Sequence, residues 1–349
     1  MQRKHALRST SLVVGAAFLL AGCTSVGNVG SETSSTGSAS TKSASDMVMV
    51  TVVKAQTIPW FQRMEVGVKS FAETSGVDAR QEGADDVSPE KQVQIVQDLI
   101  AQQPTAITVV PNSPEALDSV LKQARDQGII VVSHEATGIK NVDIDIEAFD
   151  NASYGSEIMD NLGECMGGKG EYVQFVGGLT AQTHMEWVDA AYENQQANFP
   201  DMTRVETPIE STDDQGTAYE RAKEVLAKYP NIAGFQGSAG NDVPGIARAV
   251  QEAGLEDQVC VMGTSIPSVA NQYLADGSID KIFFWDPALA GEAQLKIALM
   301  LAEGDTIEEG TDLGIEGYTS LKKLDGYDNV FVGQASVAAD AETAKKYDF

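Results

Sequence analysis

The stretch AITVVPNSPEALDSVLKQARDQGIIVVS, residues 106–133, decides the fold. Ala106–Val110 is a continuous apolar run, and Ile129–Ser133 is a second. Such runs suit parallel strands covered on both faces, since a strand with one wet face would alternate. Between them, Ser113-Pro114-Glu115 reads as a helix N-cap, a proline at the first helical position and an acid in the first turn. Gly128 ends that helix. Strand, helix and parallel strand form one right-handed crossover unit. The device occurs upstream too, where Ser88-Pro89-Glu90 opens a helix with the apolar stripe Val93, Val96, Leu99 and Ile100.

Working outward, Met47–Lys54, Tyr172–Gly177, Ile232–Gly237, Val259–Gly263 and Lys281–Trp285 are further runs of the same kind, separated by helix-like stretches. The alternation defines an α/β fold of doubly wound parallel sheets. The body from residue 47 to 349 is long for one core and comfortable for two. Two similar lobes are expected, at 47–152 and 153–286, joined by a hinge of three crossings near 150, 286 and 325. The helix Ala288–Ala302 and the rest of 287–349 are expected to return over the first lobe and the hinge.

The amino terminus has a different character. Arg3, Lys4 and Arg8 precede an apolar run, Leu12–Leu20, that is too short to span a bilayer comfortably. Leu20-Ala21-Gly22-Cys23 follows, and it resembles the lipobox of bacterial lipoproteins. That resemblance implies a signal peptide over 1–22 and a diacylglycerol on the Cys23 thiol, with the new amine open to acylation by a chain such as palmitate. The segment 23–46 is Ser-, Thr- and Gly-rich and too poor in large apolar groups to fold. It serves as a linker with a coil span of about 25–30 Å. The expected location is the extracytoplasmic face of the cell membrane, held there by lipid.

The chain has 24 basic and 51 acidic residues, a formal charge of −27, and loss of Arg3, Lys4 and Arg8 makes it more negative still. So acidic a body repels nucleic acid and anionic headgroups, and neither is expected as a partner. A monomer is expected. Cys165 and Cys260 could be joined in an exported chain. Cys260 lies in the run Val259-Cys260-Val261-Met262, however, where a buried thiol is ordinary core, and free thiols are the preferred reading. No Cys-x-x-Cys occurs, three histidines offer no metal spacing, and no cofactor is expected. Nucleophile-elbow, phosphate-loop and dinucleotide motifs are missing, which points away from an enzyme. Paired carboxylates at strand ends leave a glycosidase as a minor alternative.

Several pieces in order resemble the type I periplasmic binding proteins that feed sugar importers of the ATP-binding-cassette class. They are most similar to the branch that holds the autoinducer-2 and rhamnose binders. These pieces are an opening strand ending in Lys54, Glu115-Ala116-Leu117, Trp187, Asn241-Asp242-Val243-Pro244, Gly263-Thr264-Ser265-Ile266-Pro267 and Phe284-Trp285-Asp286-Pro287. The resemblance covers nearly all of 47–305. It implies a receptor that captures a small sugar or a furanose like autoinducer-2 between its lobes and delivers it to an integral-membrane permease. A receptor that presents its ligand to a membrane sensor, without uptake, is the alternative.

Ligands of open parallel sheets sit beyond the carboxyl ends of the strands, so candidate residues should follow strands. Lys54 ends the first run, and Trp60 and Phe61 open the next helix. The lysine can donate to hydroxyl oxygens, and the rings offer apolar faces to sugar C–H groups. Glu135 follows Ile129–Ser133, at a point where sugar-binding relatives carry an acid. The loop that gives the autoinducer-2 binders an Asp-Gln pair has Thr183 and His184 here, both able to bond a polyol. Asp242 stands where ribose-binding relatives use an acid on a sugar hydroxyl, and it also fits a helix N-cap. Ser238 and Gly240 fall where the autoinducer-2 binders use main-chain contacts. Trp285 and Asp286 sit at an inter-lobe crossing and complete the set of expected contacts.

Overall fold

The computed structural model describes residues 43–349. The expected signal peptide, Cys23 and the linker as far as residue 42 lie outside the described residues. The last part of the segment read as linker is ordered, because Ala44–Asp46 form one 3-10 turn leading into the first strand.

The first lobe is built from β1 (Val48–Val52), α1 (Pro59–Ser75), β2 (Asp78–Glu82), α2 (Pro89–Gln102), β3 (Ala106–Val109), α3 (Pro114–Asp126), β4 (Ile130–Ser133) and β5 (Ile144–Glu147). The second begins with α4 (Asn151–Cys165), β6 (Lys169–Val176), α5 (Gln182–Asn198), β7 (Asp201–Arg204) and β8 (Ile209–Glu210). It continues through α6 (Gln215–Lys228), β9 (Ile232–Gly237), α7 (Asp242–Ala253), β10 (Cys260–Thr264), α8 (Pro267–Asp276) and β11 (Lys281–Phe284). After these come α9 (Pro287–Glu303), β12 (Lys322–Lys323), β13 (Val330–Val332) and β14 (Val337–Ala339).

The parallel core of the first sheet runs β2-β1-β3-β4-β5, and that of the second runs β7-β6-β9-β10-β11. Both orders reverse next to their first-formed strand, so each lobe has a switch point at the carboxyl ends of its strands. Central strands bury every residue, as their apolar runs require: β3 and β10 are buried throughout. The helices start where the caps place them. The Ser88 and Ser113 hydroxyls accept from the backbone N–H groups of Lys91 and Ala116, each such cap stabilising its helix by about 1 kcal/mol.

The tail departs from expectation. Helix α9 packs on α1 and the first sheet, and β13 pairs in parallel with β5. Strand β14, however, pairs antiparallel with β11, so 337–349 belongs to the second lobe rather than returning over the first. The three crossings fall at 148–150, 285–286 and 333–336. The third is displaced from the expected 325 because β13, still in the first sheet, extends to Val332. Helix α4 already lies in the second lobe, which moves the first boundary a few residues earlier than 152.

Two glycines set how tightly the lobes are packed internally. A Cβ on Gly67 of α1 would lie 1.9 Å from the Ala288 carbonyl oxygen of α9, and one on Gly155 of α4 would lie 2.2 Å from the Trp187 carbonyl oxygen of α5. Both helix pairs therefore touch backbone to backbone, which only glycine permits.

Cys165 and Cys260 form a disulfide, with Cα atoms 6.2 Å apart, which corrects the reading of free thiols. The apolar run did locate Cys260 in a strand, but at its amino end, where the last turn of α4 brings Cys165 alongside. Asp280 completes the one histidine, cysteine and acid cluster close enough for a metal among the described residues, and the bridge uses two of its three ligands. The bridge closes 95 residues of chain, and disulfides typically contribute roughly 2–4 kcal/mol by restricting the unfolded state, more for long loops such as this. The double variant Cys165→Ser, Cys260→Ser should lose stability of that order in urea unfolding while keeping its ligand affinity, since the bridge sits at the opposite end of β10 from the cleft. Unfolding curves that superimpose would remove the bridge from the stability account.

Candidate functional site

Loops from both sheets converge on a cleft between the lobes, and the placement of Lys54 shows how the sequence builds it. Gln92 on α2 is buried at the first switch point. Its Nε2 donates to the Val110 carbonyl at 2.8 Å and its Oε1 accepts from Asn112 N–H at 2.8 Å. Asn112 Nδ2 then donates to the Lys54 carbonyl at 3.1 Å, so the carboxyl ends of β1 and β3 are tied together. The Lys54 side chain is only 3 % exposed and donates to Glu135 Oε2 at 2.6 Å. Burial opposes the Lys54 charge, but the nearby Glu135 and Asp213 carboxylates outweigh it and raise the ammonium above its ordinary value. Glu135 has a φ of 58°, a left-handed conformation that strains a glutamate, as do Thr212 and Asp213 across the cleft. Strain of this kind persists where surrounding structure enforces it, and it gathers at functional sites.

The cleft is lined by Lys54, Trp60, Phe61 and Glu135 from the first lobe, by His184, Ser238 and Gly240 from the second, and by Trp285 at the crossing. These are eight of the expected contacts. Ile58, Trp187, Asp213 and Thr264 also line it. The cavity between them offers about 20 Å³ to the centres of water molecules, so a sugar ring enters only when the lobes stand further apart.

Trp285 is the hub of the aromatic wall. Its ring centroid lies 4.6 Å from Trp60 of the first lobe and 5.9 Å from Trp187 of the second, both edge-on. Phe149, at the first crossing, stands 5.1 Å from it. The indole N–H groups of Trp60 and Trp285 and the Ser238 hydroxyl are buried and have no hydrogen-bond partner among the described residues. Buried donors are normally satisfied, and three unsatisfied ones converging on one cavity define a place for an oxygen-rich ligand. Burial, with Lys54 nearby, pushes His184 well below its ordinary value, so the ring is neutral. Its Nδ1 accepts from Gly177 N–H at 3.2 Å, which leaves the ring proton on Nε2.

Three expected residues do not line the cleft. Asp242 is fully buried, and its Oδ2 accepts from the backbone N–H groups of Ser238 and Ala239 at 3.0 and 2.8 Å. It shapes the loop that presents Ser238 and Gly240, and it does not cap α7 either, since Asn241 stands at the N-cap and the N–H groups that Asp242 binds precede the helix. Asp286 accepts a bidentate pair from Arg63 at 2.8 and 2.6 Å and also caps α9 through Ala288 N–H. Its carboxylate is thereby taken up at the crossing. Thr183 is buried in α5, with its hydroxyl unpartnered among the described residues but outside the cleft lining.

Asp213 was missed. The sequence signal was present, because Asp214 caps α6 through Thr217 N–H and so leaves the acid before it without a local task. The two-residue strand β8 that carries the chain there has no readable pattern.

A second polar cluster closes the lobes together beside the cleft. Glu186 of α5 accepts from the Thr137 hydroxyl at 2.9 Å and from Asn151 at 3.1 Å, and Gln182 donates to the Thr137 carbonyl. Thr180 adds a hydrogen bond of 3.1 Å to the Asn112 carbonyl. Behind Thr137 lie the buried acids of β5. Burial pushes Asp145 up to about 7, against a hydrogen bond from Ser133, and it lifts Glu147 well above the usual carboxylate range, with Asp145 and Glu186 adding to the rise.

With this geometry, the chain has the architecture of a two-lobed receptor for small solutes. Residues 49–306 match the periplasmic binding protein domain, and the chain belongs to that family. Over 260 residues it is 23 % identical to the D-allose-binding periplasmic protein of Escherichia coli (strain K12), covering 70 % of this chain and 81 % of that protein. Among solved structures it is similar to a solute-binding protein from Clostridium phytofermentas with bound L-rhamnose. That match has a TM-score of 0.78 at 21 % identity and covers 86 % of this chain and 99 % of the other. It is also similar to LsrB from Clostridium saccharobutylicum in complex with AI-2, with a TM-score of 0.79 at 18 % identity over 87 % of this chain and all of the other. At these identities the two structures speak for the fold.

The β5 acids give the stability a pH dependence of definite sign. A carboxyl whose folded value exceeds its unfolded one favours folding below the unfolded value and loses that advantage as pH rises toward the folded value. For Asp145 that window runs from 3.8 to about 7. Replacing Asp145→Asn should therefore shift the melting temperature relative to wild type in the variant's favour by a few degrees between pH 5 and pH 8. A difference that stays constant with pH would show Asp145 ionised throughout.

Proposed function

We propose that this chain is a lipid-anchored receptor on the extracytoplasmic face of the membrane. It closes its lobes over a small sugar, or a sugar-like furanose, and delivers it to an ABC-type permease. The observation that carries the reading is one cleft whose lining holds the unpartnered Trp60 and Trp285 indole N–H groups and Ser238 hydroxyl together with the buried Lys54–Glu135 pair. Sugars offer hydroxyls to the polar groups and C–H faces to the indoles. The sugar ligands of the relatives support the same class. Because the contacts come from both lobes, the ligand favours the closed form through its stronger binding there. The closed form then presents a surface made of both lobes, by which a permease can distinguish loaded from empty receptor. The lipid on Cys23 and a linker ending at Ala44 would keep that surface within reach of the membrane.

A thermal-shift screen of pentoses, deoxyhexoses and hexoses, followed by calorimetry, tests the binding. A saturating sugar should raise the melting temperature, and Glu135→Gln should weaken the best one about tenfold or more, the value of a charged hydrogen bond. Wild-type affinity in that variant would remove Glu135 from the site. For the anchor, Cys23→Ser should move the protein from the membrane to the soluble fraction without altering ligand affinity. Wild-type protein recovered wholly in the soluble fraction, with no acyl mass on Cys23, would refute the tether.

A further inference from the structure

The ligand cleft does not stand alone. A second inter-lobe cavity, about 420 Å³ open to water centres, adjoins it, and the two share Ile58 and Asp213 in their linings. The outer cavity is lined by Asp85, Asp86 and Asp214 together with Thr57. Asp213 thus stands between the inner cleft and an acidic outer chamber.

The charges around this wall do not balance. In the inner cleft the only cation is Lys54, and it is in contact with Glu135 at 2.6 Å. His184 is neutral. Asp213 is 9 % exposed, and among the described residues its carboxylate accepts no hydrogen bond; only its backbone carbonyl does, from Asn241. A Cβ on Gly177 would lie 2.5 Å from its Oδ2, so the side chain is seated in a cradle that only glycine leaves open. In the outer chamber, Asp86 is occupied by Lys91 and Asp214 by the start of α6. Among the described residues, the acids of this chamber do not bring their ligand atoms close enough together to form a metal-holding group; Cys165, Cys260 and Asp280 do. Lys54 also acts on Asp213 across the cleft, but it is one cation against two carboxylates, Glu135 and Asp213, and it is in contact with Glu135 alone. Burying the excess negative charge is costly, and an incoming cation relieves that cost.

We infer that the preferred ligand is a sugar or polyol bearing one protonated amine, with its ring in the inner cleft and its ammonium against Asp213 at the mouth of the outer chamber. This deepens the sugar-binding reading and rests on it. An ammonium supplies three donors to a carboxylate that has none, and the same negative field repels acidic sugars. Uncharged sugars can enter, but they leave the Asp213 charge uncompensated.

Calorimetry at pH 7 tests this with D-glucosamine, D-galactosamine, D-mannosamine and 1-amino-1-deoxy-D-fructose, each against its parent sugar, with the N-acetyl hexosamines as uncharged controls. At least one amine should bind about tenfold or more tighter than its parent. Asp213→Asn should abolish that margin, weakening the amine about tenfold or more relative to its parent. Asparagine tolerates the φ of 53° at this position, so the variant should keep the fold. Burial raises the Asp213 pKa, so the margin should also shrink on acidification in the wild type and not in the variant. Amines that bind no tighter than their parents, or a variant that weakens both equally, would overturn the inference and leave the sugar-binding reading intact. Failure of every amine and every parent to bind would overturn the inference, while the sugar-binding reading is refuted only if the screen of pentoses, deoxyhexoses and hexoses fails as well.

Discussion

Taking a lysine and a glutamate out of water costs several kcal/mol per ion, and the cost is offset only if the two meet with good geometry and further partners. Lys54 and Glu135 meet the first part of that condition at 2.6 Å with almost no exposure, and neither charged group has a second hydrogen-bond partner among the described residues. The requirement explains much of what surrounds them. Gln92 and Asn112 fix the strand ends so that Lys54 arrives in register, and Glu135 accepts a left-handed backbone to reach it. The tryptophans exclude water from the pair, which strengthens it and makes the loss of either partner expensive.

The aromatic wall and the crossings form a single assembly. Trp285 occupies one crossing, Phe149 another, and between them they touch rings rooted in both lobes. Edge-to-face contacts each contribute about 0.5–1.5 kcal/mol beyond the area they bury. Opening the cleft must slide Trp60 away from Trp285 and from Gly240, against which it packs. A ligand that offers a C–H face to the same rings competes with these contacts directly, so binding and closure draw on one set of surfaces.

Much of this was legible in the chain. The buried strands β1, β3, β4, β6, β9, β10 and β11 announced themselves as apolar runs, and the serine–proline caps dated the helix starts to the residue. What escaped was polar or short. Strand β2 reads Asp-Ala-Arg-Gln-Glu because it lies at a sheet edge, and β5 hides Asp145 and Glu147 in the interior, where a pattern rule expects apolar residues. At the site, residues directly after strands were found because topology places them there. Asp286 and Asp242 stood in the right loops, but their carboxylates were claimed by Arg63 and by backbone amides. Only coordinates settle such competition between partners. Asp213 was the converse case, an acid whose role depends on having no neighbour to bond.

The path of the chain also imposes an order on assembly. The first lobe needs α9 and β13 against its sheet, so it lacks part of its core until residue 332 has been made. By then every strand of the second lobe except β14 already exists. In a chain that emerges from its amino end, the lobe that begins first must wait, half covered, while the other is synthesised in its middle. Its unfinished face, along β5 and the inner side of α1, is the surface most open to improper partners during synthesis, and the one a holding chaperone would have to shield.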